Sequence, residues 1–377
     1  MLHKINDILG IVTTLLILIF SFFLITISEW KKLNIKILFF FLLVNVAYLT
    51  AYLLFSMTRP PSYYIVSFSY VLHTTGFLFG TLLYLYSKNV IYNINKLNKK
   101  DLLNLLPFLI ALVYMLIKAF ILFGKNGNWM TKQEAFFYEL LFNLTVLFYM
   151  IIALNKFRKY RIKIRNFYSS IEELKYSWLA IVLIGFLSMW VIDFLHFIAR
   201  WFFVMKPELN SLLVMLSLSI NLVFAILIYY KGLKHPPLFH PVEIIEQKPK
   251  YEKSALTDNE ADLYLEQLKN FMEKEKPYLV PDITINQLSE KVQIPSRYIS
   301  QIINNHLHQN FYEFISSYRI EESKRYLSDP KFGRKTILEI LYESGFNSKS
   351  AFNKDFKDYT GLTPSQFRRQ YLPSSKK

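Results

Sequence analysis

Long unbroken apolar runs fill the first part of the chain, and short amphipathic periods fill the last. A helix crossing a hydrocarbon core of ~30 Å needs about 20 apolar residues. Seven runs meet that length: Ile8–Ile27, Ile35–Ser56, Tyr64–Ser87, Leu102–Phe123, Ala135–Leu154, Ser177–Ala199 and Ser211–Tyr230. After Ala261 the apolar positions recur at helical spacing among charged residues, as in a helical domain with one face exposed to water. Between the two regimes stand Pro236, Pro237, Pro241 and Pro249. Proline cannot continue a helix, so this stretch reads as a semi-rigid linker. The pattern predicts an all-α chain in three parts: a seven-transmembrane-helix bundle over 1–234, a linker over 235–257, and a helical domain over 258–377.

Composition agrees with this division. The chain has 377 residues, of which 53% are hydrophobic and 17% aromatic. The mean hydropathy is positive, +0.24, as the long apolar runs require. The net charge of +16 asks for an anionic partner, either nucleic acid or an anionic membrane surface. There is no cysteine, which excludes disulfides, thiol catalysis and cysteine-based zinc sites. No HExxH, GxSxG or Walker-type motif is present, and the reading is of a non-enzyme without a cofactor. The first run is too long for a signal-peptide core and has no small-residue cleavage site after it.

The charges between the runs assign an orientation, because Lys and Arg collect on the cytoplasmic side. One set of alternate loops holds Lys31, Lys32 and Lys36, then Lys88, Lys96, Lys99 and Lys100, then the basic run Lys156 to Arg165 and Lys175. The other set holds Lys4, Arg59, Lys125, Lys132, Arg200 and Lys206. The first set is expected in the cytoplasm. Seven crossings then put the N-terminus outside and the C-terminus inside. The run from Lys156 to Arg165 is expected to act as a topology signal on anionic lipid.

Ionisable residues inside apolar runs are costly, and they are usually paired or functional. Five stand out: His73, Lys118, Glu139, Asp193 and His196. In this orientation they fall at mid-depth or toward the outside, and Asp193 and His196 share a helix face. Together they are expected to line one outward-opening ligand cavity. A plainer expectation is an ion pair of Lys118 with Glu139, plus polar contacts between helices. A metal site from His73, Asp193 and His196 is a further alternative.

The last part reads as two similar helix pairs. A first helix carries Leu265, Leu268, Phe271 and Met272 and ends before Pro277. The segment Ile283 to Val292 is a short amphipathic helix with Leu288 and Val292 on one face. It is followed by the turn Gln293-Ile294-Pro295 and a second short helix, Ser296 to Asn304, with Ser296 as its expected cap. Ile299, Ile302 and Ile303 point inward, leaving Arg297, Ser300 and Gln301 outward. A longer helix, Phe311 to Leu327, precedes the second pair. That pair comprises Thr336 to Tyr342, a turn at Gly345, and Ser348 to Lys357. Phe352 and Phe356 face its core, with Lys349, Ser350 and Lys354 outward. A last helix starts at Thr363-Pro364. Two short helices joined by a turn, the second with polar side chains on its free face, have the shape that enters a major groove.

The segments Gly345-Phe346-Asn347-Ser348-Lys349-Ser350-Ala351-Phe352, Phe356-Lys357, Gly361-Leu362-Thr363-Pro364 and Arg368 resemble the signature of AraC/XylS-type regulators. Leu288-Ser289, Tyr298-Ile299-Ser300 and Tyr318-Arg319-Ile320 fit the same pattern, over about Pro281–Tyr371. Leu341 stands where the family usually has a small residue, and Gln293 where glycine is common. The resemblance implies two recognition helices in successive major-groove segments of double-stranded DNA. Matched by position, Arg297, Ser300 and Gln301 would read bases through the first motif. Lys349, Ser350, Ala351 and Lys354 would do so through the second. Lys357 and Arg368 would hold phosphates.

Joined, these readings predict a bacterial inner-membrane regulator of one component. It would sense an unknown external or membrane-borne ligand among seven helices in the lipid bilayer and bind specific DNA in the cytoplasm. Homodimerisation and contact with RNA polymerase are compatible partners. Three other readings are left open. They are a transporter or membrane enzyme fused to a regulator, an anchor from which proteolysis frees the regulator, and a basic face that serves lipid binding.

Overall fold

The computed structural model describes residues 2–58, 62–92, 94, 96–121, 129–169, 175–234 and 256–372. The linker prolines lie outside the described residues. The chain divides into two compact units, one of Met1–Arg158 with Ser177–Glu243, the other of Lys159–Tyr176 with Ile244–Lys377. The described residues are helical, with one isolated bridge between Tyr168 and Thr284.

The first unit is built from α1 (Leu2–Thr26), α2 (Leu33–Met57), α3 (Tyr63–Thr74), α4 (Leu78–Tyr92), α5 (Lys99–Leu102), α6 (Leu106–Ile121), α7 (Lys132–Arg165), α8 (Lys175–Phe202) and α9 (Pro207–Lys234), except that the end of α7 from Lys159 and the first two residues of α8 belong to the second unit. Taken with their short 3-10 connections, they make seven helices long and apolar enough to cross a membrane. Each matches one of the expected runs. Helix α1 packs against α2 and α9, and α2 against α3 and α4. Close approach is set by small residues: a Cβ on Gly185 would meet the Phe224 ring at 2.2 Å, so α8 and α9 can touch there only through glycine. Trp178 donates from Nε1 to the Tyr86 hydroxyl at 2.6 Å, which satisfies a buried indole. Outward faces keep large apolar side chains in the open, including Ile110, Val113 and Phe120 on α6.

Two features depart from the expected runs. The third run is not one helix, because α3 and α4 are separated by a 3-10 turn at Thr75–Phe77. Gly76 sits in this turn with no room for a Cβ, at 2.9 Å from Phe142 and 3.2 Å from Tyr48. The basic run read as a loop is largely helix: α7 continues for 34 residues to Arg165. Lys and Arg are good helix formers, and a helix that has left an apolar layer can continue in water.

The second unit holds α10 (Asp258–Glu275), α11 (Ile285–Val292), α12 (Ser296–Asn305), α13 (Phe311–Ser328), α14 (Ile337–Glu343), α15 (Lys349–Thr360) and α16 (Pro364–Tyr371). Many of their starts follow one local rule. Capping boxes close the N-termini of α10, α11, α13, α14 and α16, from Thr257 with Glu260 to Thr363 with Gln366. The expectation for Ser296 is corrected. Pro295 occupies the cap position of α12, no side chain caps it, and Ser296 is the first helical residue. Proline there already holds the non-helical backbone that a cap requires.

Two apolar cores lie in this unit. The first gathers Leu268, Met272, Leu288, Val292, Ile299, Ile303, Phe311, Phe314 and Ile315. The second gathers Ile320, Leu327, Ile340, Leu341, Phe346, Phe352, Phe356 and Phe367. Helix α13 serves both, its first half in one core and its second half in the other. Leu341 fills the second core at 1% exposure, so the bulkier residue is absorbed by packing. Gln293 takes the left-handed backbone, φ 60°, that glycine adopts freely.

Candidate functional site

Each short helix pair presents one helix outward. On α12, Ile299, Ile302 and Ile303 are fully buried, which turns Arg297 into solvent and leaves Ser300 and Gln301 half-buried. Asn304 reaches back along the same face, donating from Nδ2 to the Ser300 carbonyl at 2.7 Å. On α15, Phe352 and Phe356 are buried, so Lys349, Ser350, Lys354 and Lys357 are exposed and Ala351 half-buried. Ser348 caps this helix, accepting from the Ala351 amide at 3.4 Å. The candidate base-reading residues therefore fall on two free faces, one per motif.

Arg368, expected to hold a phosphate, is half-buried. Its Nη1 donates to the Lys335 carbonyl at 2.7 Å, while Nε and Nη2 are buried without a partner among the described residues. The guanidinium is turned into the fold, and burial pulls its pKa below the usual arginine range. It braces the segment before α14 through the Lys335 carbonyl.

Three polar ties hold the two motifs together. Arg319 on α13 is 1% exposed and donates from Nε to the Tyr278 carbonyl at 2.7 Å. Its Nη2 donates to the carbonyls of Val280 and Pro281 at 2.8 and 2.7 Å. Burial pulls its pKa down to about 10, so it remains charged at neutral pH. Gly345, φ 86°, lies against the same place, where a Cβ would meet the Tyr278 carbonyl at 2.4 Å and Arg319 Nε at 3.1 Å. Asn347, before α15, donates to Asp282 at 2.8 Å, and Asp355 accepts from the Tyr312 hydroxyl at 2.6 Å and from Ser316 at 3.2 Å.

A further tie comes from the end of α7. The Ser169 amide donates to Ile283 at 3.2 Å, and the Ile285 amide donates to Phe167 at 3.0 Å. Phe167 packs half-buried on the first core. Arg319 donates to the Ser169 carbonyl and to its Oγ, each at 3.2 Å. Composition alone did not reveal this strap. The run Phe167-Tyr168-Ser169 at the end of a basic stretch was its only local sign.

A family model described as a helix-turn-helix domain matches residues 288–370. The Msm operon regulatory protein of Streptococcus mutans is 31% identical over 88 residues, 23% of this chain and 31% of that protein. The melibiose operon regulatory protein of Escherichia coli is 29% identical over 109 residues, 29% of this chain and 34% of that protein. The C-terminal unit carries an AraC-type helix-turn-helix domain. An uncharacterized HTH-type transcriptional regulator of Staphylococcus aureus is 27% identical over 131 residues, 35% of this chain and 16% of that protein. The chain thus spans about a third or less of the curated relatives it matches. No solved structure matches it. In the AraC-type domain, Arg297 to Gln301 and Lys349 to Lys354 lie on the second helix of the first and second motifs.

The first unit contains a cavity of about 350 Å³. His73, Glu139, Asp193 and His196 all line it, and Lys118 does not. The expected pairing of Lys118 with Glu139 is corrected: Lys118 pairs with Glu134 at 2.6 Å and Glu139 with Arg200 at 3.1 Å. Glu134 is the nearer acid in space, and Arg200 is brought to Glu139 by the packing of α8. The second Glu139 oxygen accepts from Trp201 Nε1 at 2.8 Å. Asp193 accepts from the Ser217 hydroxyl at 2.6 Å, and His196 Nε2 bonds Asn210 at 2.8 Å. The His73 ring lies tilted against Tyr48, ring centres 4.6 Å apart. Among the described residues, no three His, Cys, Asp or Glu side chains gather as metal ligands would. Sequence reasoning missed Tyr48, Tyr70, Tyr138, Asn143 and Ser217 in the lining. Tyrosines inside apolar runs were a signal for them.

Proposed function

We propose that this chain is a membrane-bound transcription regulator that senses a ligand in its first unit and reads specific double-stranded DNA with its AraC-type domain. The observation that carries the reading is the union, in one chain, of two outward-facing recognition helices with seven helices able to span a bilayer. The relatives named for operon regulation match only the C-terminal unit, so the genes controlled by this chain do not follow from theirs.

The orientation rests on charge. Lys31, Lys32, Lys88, Lys96 and the end of α7 fall on one side, and the cytoplasmic side attracts Lys and Arg. In this orientation the AraC-type domain would stand in the cytoplasm, with the chromosome. The cavity lies toward the opposite ends of the helices, since Glu139 is near the start of α7 and Arg200 is in the last turn of α8. A ligand that prefers one of two packings of α7 and α8 would shift the population of the regulator. The strap formed by Phe167 to Ser169 supports transmission through the end of α7, alongside the linker.

The test uses the full chain in lipid nanodiscs. Selection from random DNA is expected to yield a recurrent motif covering two successive major-groove segments. A reporter driven by that motif is expected to answer an added cue. Asp193→Asn and Glu139→Gln should remove the response and leave the selected motif unchanged. Failure to enrich any sequence would end the DNA reading. A response untouched by both substitutions would end the cavity as its sensor.

A further inference from the structure

The cavity has a chemical bias that narrows its ligand, and the inference rests on the sensing reading above. At about 350 Å³ it falls in the size range of small-molecule sites. Much of its wall is aromatic, including Tyr48, Tyr70, Tyr138, Phe142 and Phe197. Its charges do not cancel. Glu139 is matched by Arg200 and by the Trp201 indole. Asp193 receives one hydroxyl hydrogen bond, from Ser217; among the described residues no lysine or arginine pairs with it, and His196 is the charged neighbour that acts on it. His196, three residues on, has its Nε2 held by Asn210.

Two further polar atoms of lining residues lack partners among the described residues. Asn143 is 5% exposed, and its Nδ2 donates to the Glu139 carbonyl while its Oδ1 is buried without a partner. Ser69 Oγ, also in the lining, is buried without a partner. A carboxylate oxygen and an amide oxygen accept hydrogen bonds and cannot donate them. A ligand that meets Asp193 must therefore supply a donor, and a positive charge complements its carboxylate, while the Ser69 hydroxyl can serve either role. Rings of Tyr and Phe attract cations over their faces and cover an apolar body at the same time.

We infer that the cavity between α2, α3, α7, α8 and α9 binds a small organic cation, a protonated amine on an apolar body, with its ammonium at Asp193. An anionic ligand would meet an unpaired carboxylate, with the one nearby guanidinium already engaged by Glu139. A metal ion is usually held by several carboxylate or imidazole ligands, and among the described residues no three such side chains gather. The site can also act on the fold. Tyr48 and Phe142, two of its walls, close on Gly76 in the break between α3 and α4. A 3-10 stretch within a longer helix is a common place for a hinge.

The experiment is calorimetric titration of the full chain in nanodiscs with benzylammonium, 2-phenylethylammonium and cyclohexylmethylammonium. The neutral 2-phenylethanol and the anionic 3-phenylpropanoate serve as shape controls. At least one amine is expected to bind, with the alcohol roughly tenfold or more weaker, since a charged hydrogen bond is at stake. Asp193→Asn should weaken the amine by about the same factor and bring amine and alcohol level. Lys118→Gln, outside the cavity, should change nothing. No amine binding, or binding of the alcohol or acid equal to that of the amine, overturns the proposal. These comparisons use the natural chain and do not depend on the folding of a variant. Amine binding without any change in reporter output would retire the sensing reading alone. A reporter that answers another cue while no amine binds would retire the ligand class alone.

Discussion

Arg297 and Lys354 carry the clearest difference in expected role from Lys357. The first two stand on the exposed faces of α12 and α15, where the proposed function has them read bases, and Lys357 lies in the last turn of α15. Arg297→Ala and Lys354→Ala should each cost about 1–3 kcal/mol at their own base positions and relax sequence preference there. Lys357→Ala should weaken binding to all sequences alike and lower the salt slope by about one ion. Competition binding on single-base variants of the selected site, at several salt concentrations, separates the two. Asp355 makes a different kind of prediction. Burial raises its pKa, and the hydrogen bonds from Tyr312 and Ser316 oppose that only in part. A raised folded value contributes stability that is present below the ordinary aspartate range and is lost as pH climbs through the folded pKa. Asp355→Asn should therefore be neutral or stabilising at pH 7, and its advantage should fade as pH falls toward 4. Pulse proteolysis in urea across that range reads the difference. A fixed cost at every pH would mean that the carboxylate is not strained.

Among the elements, α13 matters most, since it is shared by both cores and carries Arg319. Arg319→Met would remove the guanidinium donor from the carbonyls of Tyr278, Val280, Pro281 and Ser169, leaving Val280 and Pro281 only the long bonds from the Ile283 amide and the Ser169 hydroxyl, each 3.4 Å. The cost should be about 3 kcal/mol or more, as several buried acceptors lose a charged partner. The strap gives a second test. Ser169→Pro removes the amide that donates to Ile283, and hydrogen exchange at Ile283 and Ile285 should quicken while α14 to α16 stay protected. Unchanged exchange would mean the strap adds nothing to the first motif. The helices themselves were legible in sequence from apolar spacing, and more was available than spacing alone. The Thr257-Glu260, Thr284-Gln287, Asn310-Glu313 and Thr336-Glu339 pairs mark helix starts with a physical reason, two amide donors satisfied reciprocally. The Ser296 expectation failed because proline occupied the position before it. The strap was not legible, since it depends on which residues meet a segment more than a hundred positions away.

For the whole molecule, orientation is the decisive question, and the lack of native cysteine makes it easy to ask. Single cysteines in place of Lys206 or Lys4 should react with a membrane-impermeant thiol reagent on intact cells. Cysteines in place of Lys31 or Lys96 should react only after permeabilisation. The reverse pattern would put the AraC-type domain on the wrong side of the membrane for DNA. The sequence by itself determined the all-α class, the seven apolar helices, the two helix-turn-helix motifs and the outward residues of each. These are local matters, governed by run length, helical period and turn chemistry. The ion pairs were decided only by tertiary structure. Glu139 went to Arg200 and Lys118 to Glu134, because pairing follows distance in space, and helix packing sets that distance. The inward turn of Arg368, the strap on the first motif and the acceptor-rich cavity around Asp193 were decided in the same way. Each is a meeting of residues distant in sequence, and no local period encodes it.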